Sequence, residues 1–313
     1  MLVPKLFTTL RSYSRVEFTA DLTAGIIVGI VALPLAIAFA IASGVTPDRG
    51  LWTAVVAGFI ISALGGSRVQ IGGPTGAFVV IVYGIVQRYG YDGLAVATFM
   101  AGIFLVLIGA VRLGAVIKFV PHPVVVGFTS GIAIIILSSE VKDFFGLHMN
   151  AVPADFLEKW QALIGNAHSV NPYAIAVSVL ALAIILIWPR FSRRIPGPFV
   201  ALLVSTAVAQ ALHWPVETIG SRFGSISASF PHPALPHVSF AQATALVGPA
   251  FTIAMLAAVE SLLSAVVADG MIGGRHRSNM ELVAQGIANI ASPLFGRWEW
   301  SLPRSCLCGE WLK

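Results

Sequence analysis

The stretch of sequence that decides the fold reads Val69-Gln70-Ile71-Gly72-Gly73-Pro74-Thr75-Gly76-Ala77-Phe78-Val79-Val80. Its Gly-Gly-Pro-Thr-Gly core does not continue a helix easily, yet apolar sequence flanks it on both sides. Irregular backbone is not found facing lipid, so such a segment must be buried in protein or border a water-filled cavity. The sequence therefore predicts a helix break at Gly72, Gly73 and Pro74, in a short extended stretch over residues 69–73, followed by a half-helix over residues 75–87.

A half-helix that begins inside a membrane has a chemical use. Pro74 and Thr75 are typical of a helix start, as a first-turn proline and a hydroxyl cap. Free N–H groups and the positive end of the helix dipole would then lie near the midplane, which makes an anion site without a buried Lys or Arg. Gly76 and Ala77 leave this backbone approachable. The alternative is a glycine-rich packing kink that binds nothing.

The composition excludes an ordinary soluble globule. The 313 residues are 57% hydrophobic and 11% charged, against roughly 25% charged in soluble domains. A spanning helix needs about 20 mostly apolar residues. Windows that qualify are residues 22–47, 50–67, 69–87, 93–111, 119–139, part of 172–189, 195–212, much of 240–268 and, less apolar, 280–296. The sequence predicts an all-α polytopic membrane protein.

Charge and cysteine placement exclude other classes of function. The net charge of +5 comes from basic residues strung between apolar runs, so no nucleic-acid-binding patch is expected. Most of these basic residues fall on the inside if the N-terminus is cytoplasmic. Both cysteines lie near the C-terminus and the histidines are scattered, so no metal site and no cofactor are expected. An enzyme is the least expected class, because no nucleophile–base pair is readable.

Two residues inside apolar runs are candidates for function. Pro34 interrupts the first span, as a plain kink or as a kink that faces a cavity and lets Phe39 line it. Glu260 places a carboxyl deep in an apolar run, where a charge is costly and is by default a functional hypothesis. It can carry a proton or contact a sodium ion; the alternative is a neutral packing carboxyl bonded to Ser261 or Ser264.

Two other carboxyl groups lie nearer to the ends of spans. For Glu140 and Glu281 we expect a solvated or capping role. The longest outside segments are about 140–171 and 213–239, and the prolines of the second predict an extended loop.

Several separated motifs, over about residues 10–296, resemble those of the sulfate permease (SulP) type of anion transporters and exchangers. They are Asp21-Leu22-Thr23-Ala24-Gly25-Ile26, Leu33-Pro34-Leu35-Ala36-Ile37-Ala38-Phe39-Ala40, Gly65-Gly66-Ser67-Arg68 before Gly73-Pro74-Thr75-Gly76, Pro121-His122-Pro123-Val124-Val125-Val126-Gly127-Phe128 and Glu260-Ser261-Leu262-Leu263-Ser264. Each motif alone is weak, and together they are specific.

The resemblance implies fourteen transmembrane segments in two inverted seven-segment repeats, a core and a gate, elevator-like alternating access, a homodimer and a cytoplasmic STAS domain after the membrane part. The implied division of this chain is a cytoplasmic N-terminal segment at 1–19, core segments at 20–112, gate segments at 113–212, an extracytoplasmic loop at 213–239, further core segments at 240–296 and an atypical tail at 297–313. The protein would be a multi-pass protein of the bacterial inner membrane.

The resemblance also implies the site residues. In the family the anion lies between the N-termini of the third and tenth segments, lined by the first. This points to the substrate-binding residues Leu35, Phe39, Thr75, Gly76 and Ala77. Some members have a glutamine at the place of Leu35, so this pocket would be less polar. Glu260 matches the carboxylate of the eighth segment, which implies a role in coupling to protons or sodium.

The last residues depart from the family pattern. Residues 297–313 hold both cysteines, three of the seven tryptophans and no spanning pattern. We therefore expect a truncated or frameshifted product with an incomplete second repeat, which alone does not catalyse coupled transport; the alternative is a genuine terminus.

Two other functions stay open at this stage. A nucleobase or purine permease of the same fold would need side-chain hydrogen-bonding groups from both the eighth and tenth segments. The alternative of another class is an anion channel or a non-transporting membrane scaffold.

Overall fold

The computed structural model describes residues 2–73, 75–114, 122–149, 153, 155–192, 195–223 and 240–295, and these ranges hold helices and no strand. The helices of the first half are α1 (Lys5–Thr9), α2 (Arg15–Ala42), α3 (Pro47–Leu64), α4 (Gly76–Ala110), α5 (His122–Phe145) and α6 (Phe156–Gly165). Those of the second half are α7 (Pro172–Ile187), α8 (Gly197–Ala211), α9 (Ile219–Phe223), α10 (Phe240–Ala245), α11 (Val247–Ile272) and α12 (Ser278–Phe295).

The long helices follow the apolar windows of the sequence. Four of the described helical segments are long and apolar enough to cross a membrane: Arg15–Ala42, Gly76–Ala110, Pro172–Arg190 and Val247–Ile272. The first begins with a capping box, in which Ser14 Oγ accepts the Glu17 N–H and the Glu17 carboxylate accepts the Ser14 N–H at 2.7 Å. It continues as one helix through Pro34.

α4 contains two of the predicted spans. Gly90 lies between them with φ +69° and ψ −174°, which is not helical and which glycine adopts at low cost. Beside this break, the guanidinium carbon of Arg49 lies 3.6 Å from the centre of the Tyr91 ring, a cation–π contact that joins the start of α3 to the second part of α4. The apolar windows 69–87 and 93–111 thus correspond to the two parts of α4 on either side of Gly90.

The core is built where α4 packs against α11 and α12, and α12 also packs against α3. Buried side chains such as Leu105, Leu246 and Leu282 fill it, together with many alanines. The backbones of α4 and α12 come very close at Gly102 and Gly286, because a Cβ on either would lie 2.6–2.7 Å from the carbonyl oxygen of the other. Small residues at the crossing allow this approach, as is typical of membrane helices.

A second group of helices consists of α5, α6, α7 and α8, with α7 packed against both α5 and α8. The amphipathic α6 falls inside one of the predicted outside segments, and hydropathy windows did not predict it. Asp155 caps it by accepting the Leu157 N–H at 2.9 Å. Its Lys159 is only 8% exposed and donates from Nζ to Ser139 Oγ of α5 at 3.0 Å.

Some predictions concern residues outside the described ranges. They are Pro74, Pro121, the three loop prolines Pro231, Pro233 and Pro236, and the whole tail at 297–313 with Cys306 and Cys308.

Candidate functional site

The described residues between α3 and α4, 65–73 and 75, are not helical, so the predicted break is present and begins four residues before the expected stretch of 69–73. Gly65 ends α3 with φ −62° and ψ 161°, an extended conformation. Gly72 passes so close to α3 that a Cβ there would overlap Ile61 Cδ1, whereas a Cβ on Gly73 would meet no atom within 4 Å. Gly72 is thus required for close packing against α3, whereas Gly73 has open space beside its backbone.

The half-helix begins at Gly76, with Thr75 as its N-cap residue in an extended conformation (φ −125°, ψ 153°). The expectation that the Thr75 hydroxyl caps the helix is wrong, because its side chain forms no capping hydrogen bond. The first turn closes instead when the Phe78 N–H donates to the Thr75 carbonyl at 3.2 Å. The N–H groups of Gly76 and Ala77 come earlier and have no acceptor in their own helix, so the positive end of the dipole lies there.

Two other helices meet this helix start. A Cβ on Gly76 would overlap Ile136 Cδ1 of α5 and would lie 3.6 Å from Phe39 Cε1 of α2. The structure therefore brings Phe39 to the start of α4, next to Gly76 and the buried Ala77. It does not enclose Leu35, which is 45% exposed. Nothing local in the sequence singles out Ile136, since it is one apolar residue in an apolar span.

Glu260 of α11 adjoins the Thr75 side chain. Glu260 Oε2 and Thr75 Oγ1 are both buried, and neither has a hydrogen-bond partner among the described residues. Glu260 Oε2 therefore does not form the hydrogen bond to Ser261 or Ser264 that the alternative of a packing carboxyl requires. An orphaned carboxyl oxygen beside an orphaned hydroxyl fits a group that takes up a proton or contacts a cation.

Gln70 contacts Ser261, the residue that follows Glu260 in α11, and carries another buried oxygen. Its Nε2 donates to the carbonyl and to Oγ of Ser261, at 3.0 and 3.2 Å, while Oε1 is buried without a partner among the described residues. Carboxyl, hydroxyl and amide oxygens are the ligands that hard cations prefer. The signal that sequence reasoning missed is a lone amide side chain inside the extended stretch. The described residues contain no group of three His, Cys, Asp or Glu that could hold a metal.

The expectation of a solvated or capping role for Glu281 is wrong. Its side chain is 1% exposed, and Oε2 accepts the Gly66 N–H at 2.8 Å. Oε1 accepts the hydroxyl of Ser261 at 3.4 Å. Partners distant in sequence cannot be read from a local pattern, and the proximity to a helix end suggested solvent. Glu140, in contrast, is exposed as expected.

Sequence comparison identifies related proteins. Residues 18–305 match the sequence model of the Sulfate permease family. The "Putative sulfate transporter YvdB" of Bacillus subtilis is 47% identical over 288 residues, which are 91% of this chain and 54% of that protein. The "Bicarbonate transporter BicA" of a Picosynechococcus species is 33% identical over 82% of this chain and 46% of that protein. The chain spans about half the length of the curated relatives it matches.

Solved structures of two transporters share the fold of this chain. The transmembrane domain of a cyanobacterial bicarbonate transporter, BicA, aligns with a TM-score of 0.79 and 33% identity over 88% of this chain and 71% of that one. Murine Solute Carrier 26 family member A9 aligns with a TM-score of 0.80 over 94% of this chain and 53% of that one, at 20% identity. The fold is that of the inverted seven-plus-seven repeat.

Proposed function

This chain belongs to the sulfate permease family, and we propose that it is part of a secondary active transporter that moves small inorganic or organic anions by alternating access. The candidate substrates are sulfate, bicarbonate, chloride and dicarboxylates. The observation that carries the proposal is the start of α4, where the N–H groups of Gly76 and Ala77 have no acceptor within their own helix and apolar side chains adjoin Gly76. A helix N-terminus in such surroundings attracts an anion without a buried cation.

The anion would bind against this helix start. Phe39 would form one wall, because its ring lies at Gly76, and Thr75 would offer a hydroxyl. Leu35 is a weaker member of the site, since nearly half of its side chain is exposed. An apolar wall behind backbone donors lowers the local dielectric constant and so strengthens the attraction.

Glu260 would couple transport to a proton or sodium ion. Its unpaired Oε2 lies beside the Thr75 hydroxyl, so the coupling ion and the anion would share Thr75 as a common neighbour. A cation or proton next to the anion offsets its charge, which favours joint binding and release. This arrangement supports symport of the anion with the coupling ion. The competing mechanism is exchange of one anion for another.

The packing supports a division into two moving parts. α2, α3, α4, α11 and α12 pack chiefly with one another and would form the transporting core, while α5, α7 and α8 would form the gate. The anion site would lie where the core helix α4 meets Ile136 of the gate helix α5. The distribution of basic residues supports a cytoplasmic N-terminus, and the membrane would be a bacterial inner membrane. A homodimer is a further part of the proposal.

Transport assays in proteoliposomes test the function. We would measure labelled sulfate and bicarbonate uptake for the chain itself and for a chimera in which residues 1–295 precede the corresponding remainder of the Bacillus subtilis relative. The chimera should show saturable uptake that inorganic anions or dicarboxylates inhibit and uracil does not. Inhibition by uracil alone would favour a nucleobase permease. Non-saturating, uncoupled current would favour a channel, and a folded chimera without uptake or anion binding would favour a scaffold.

A further inference from the structure

Glu281 is a buried acid that the transport proposal does not use. It lies in the first turn of α12 with 1% of its side chain exposed, and no Lys, Arg or His among the described residues forms an ion pair with it. Its carboxylate instead accepts hydrogen bonds from neutral groups of the described residues, among them the Gly66 N–H at 2.8 Å and Ser261 Oγ at 3.4 Å. A buried carboxyl that is satisfied by neutral donors holds those donors in place.

Both backbone polar groups of Gly66 form hydrogen bonds with residues at the start of α12. Its N–H donates to Glu281, and its carbonyl accepts the Arg277 N–H at 2.9 Å. The approach is too close for a side chain, because a Cβ on Gly66 would overlap the Arg277 carbonyl oxygen. A Cβ on Gly65 would come within 3.2 Å of Glu281 Oε2. The turn that opens the extended stretch is therefore fitted onto the start of α12.

The same carboxylate is linked through Ser261 to Gln70, in the middle of the stretch. Ser261 Oγ donates to Glu281 Oε1 and also lies 3.3 Å from Gln285 Nε2 and 3.2 Å from Gln70 Nε2. Gln70 is five positions before the N-cap residue Thr75. Glu281 thus contacts Gly66 directly and is linked to Gln70 through Ser261. Residues 66 and 70 both lie in the stretch that leads to the start of α4, and Ser261 follows Glu260 in α11.

We propose that Glu281 is a positioning residue, which fixes residues 66–70 and thereby sets where the N-terminus of α4 and Glu260 face each other. Its relevance to transport rests on the anion site proposed above, whereas its effect on the stretch does not. The role requires hydrogen-bonding atoms at the right reach and no charge. A glutamine can accept from Gly66 and donate to Ser261, so it should replace the glutamate, while the shorter aspartate and alanine should not.

The test uses a cysteine reporter in the full chain, in membrane vesicles. Cys306→Ser and Cys308→Ser remove the native thiols, and Gly73→Cys adds one at an exposed position with no atom within 4 Å of the new Cβ. The rate of alkylation by a charged maleimide is measured with and without sulfate. Gly165→Cys, on α6 and equally unhindered, is the matched control site.

Glu281→Ala and Glu281→Asp should raise the alkylation rate at Gly73→Cys about tenfold, because neither side chain reaches both Gly66 and Ser261 and the stretch opens locally. Glu281→Gln should stay within about twofold of the parent, and the rate at Gly165→Cys should not change in any variant. Sulfate should protect Gly73→Cys in the parent and in Glu281→Gln, and half-protection in Glu281→Ala should need about tenfold more sulfate.

The outcomes separate the two proposals. An unchanged rate in Glu281→Ala, or a rise in Glu281→Gln equal to that in Glu281→Asp, overturns the positioning role. If Glu281→Ala does not fold, Ser261→Ala and Gln70→Leu each remove one link of the same network and must raise the rate instead. If the rates follow the prediction but sulfate never protects the parent, the anion site fails while the positioning role stands.

Discussion

Gly76 determines whether three helices can meet at the start of α4. It has no side chain, and the space a Cβ would take holds Ile136 Cδ1, with Phe39 Cε1 just beyond. The overlapping atom is the end of a flexible side chain, so alanine can be accommodated by a rotation of Ile136, whereas a branched side chain cannot.

Gly76→Val should therefore destabilise the chain by about 1–3 kcal/mol through overpacking. It should also remove anion binding, because it blocks the first N–H groups of α4. Ile136→Ala in the same chain should recover most of the stability. Thermal unfolding in detergent, with the two single variants and the double variant, measures the coupling; simple additivity of the two changes would contradict the contact.

Lys159 shows how burial acts on a single charge outside the spanning helices. It is 8% exposed in α6, and this burial lowers the pKa of its amine below the ordinary value of 10.5. The unfolded chain therefore binds the proton more tightly than the folded chain. Below the lowered pKa the buried ammonium costs stability, and this cost disappears as the pH rises toward 10.5.

Lys159→Met should raise the Tm by a few degrees at pH 7, about 1 kcal/mol. The gain should shrink as the pH rises from the lowered pKa and should vanish above 10.5, where the wild-type amine is neutral in both states. The Tm as a function of pH measures it, with the exposed Arg190→Met as the control. A gain that is constant with pH would mean that packing and not desolvation is responsible.

At the scale of helices, the α4–α12 crossing holds the core together. Gly102 and Gly286 place their backbones in contact, and a carbonyl oxygen of a helix cannot move aside as a side chain can. The half-helix at the start of α4 depends on this crossing, because the second part of the same helix is anchored there.

Gly286→Ala should lower stability by about 2–3 kcal/mol, since the methyl group would push two helix backbones apart. Gly84→Ala is the matched control on α4: its Cβ would meet nothing within 4 Å, so alanine should be neutral or stabilise by up to about 1 kcal/mol. Differential scanning fluorimetry of both variants measures the contrast. Equal Tm shifts would show that the helices are not in close contact at this point.

The elements were predictable to the extent that each carries its own signal. The apolar window at 195–212 corresponds to α8 at Gly197–Ala211, and the Gly-Gly-Pro-Thr-Gly run gave the break before α4. α6 was missed because a helix of ten residues is too short for a spanning window. The burial of Glu281 was also missed, because its main partner lies 215 residues away in sequence.

At the scale of the whole molecule, the first residues of the chain join elements from its opposite ends. The Lys5 N–H donates to the Gly65 carbonyl at 2.9 Å, and Lys5 Nζ donates to the Arg275 carbonyl at 3.0 Å. Arg277 Nη1 donates to the Val3 carbonyl at 2.8 Å. The N-terminal segment thus binds the end of α3 to the α11–α12 turn, beside the Glu281 network.

Arg277→Ala should release residues 2–9 from this surface. These hydrogen bonds are exposed, so we expect a loss of about 1 kcal/mol or less in stability. The clearer effect should be faster cleavage near Lys5 and Arg11 by trypsin. Arg275→Ala is the control, since Arg275 contributes only its backbone carbonyl. Equal cleavage rates in the two variants would show that the Arg277 side chain does not hold the segment.

The central claim is that Glu260, beside Thr75 at the start of α4, links anion movement to a coupling ion. The most direct measurement is labelled anion uptake by the chimera under imposed proton and sodium gradients, for the parent and Glu260→Gln, with the exposed Glu140→Gln as the control. Glu260→Gln should retain saturable anion exchange and lose all dependence on either gradient, while Glu140→Gln should behave as the parent. Gradient dependence that is unchanged in Glu260→Gln would contradict the claim.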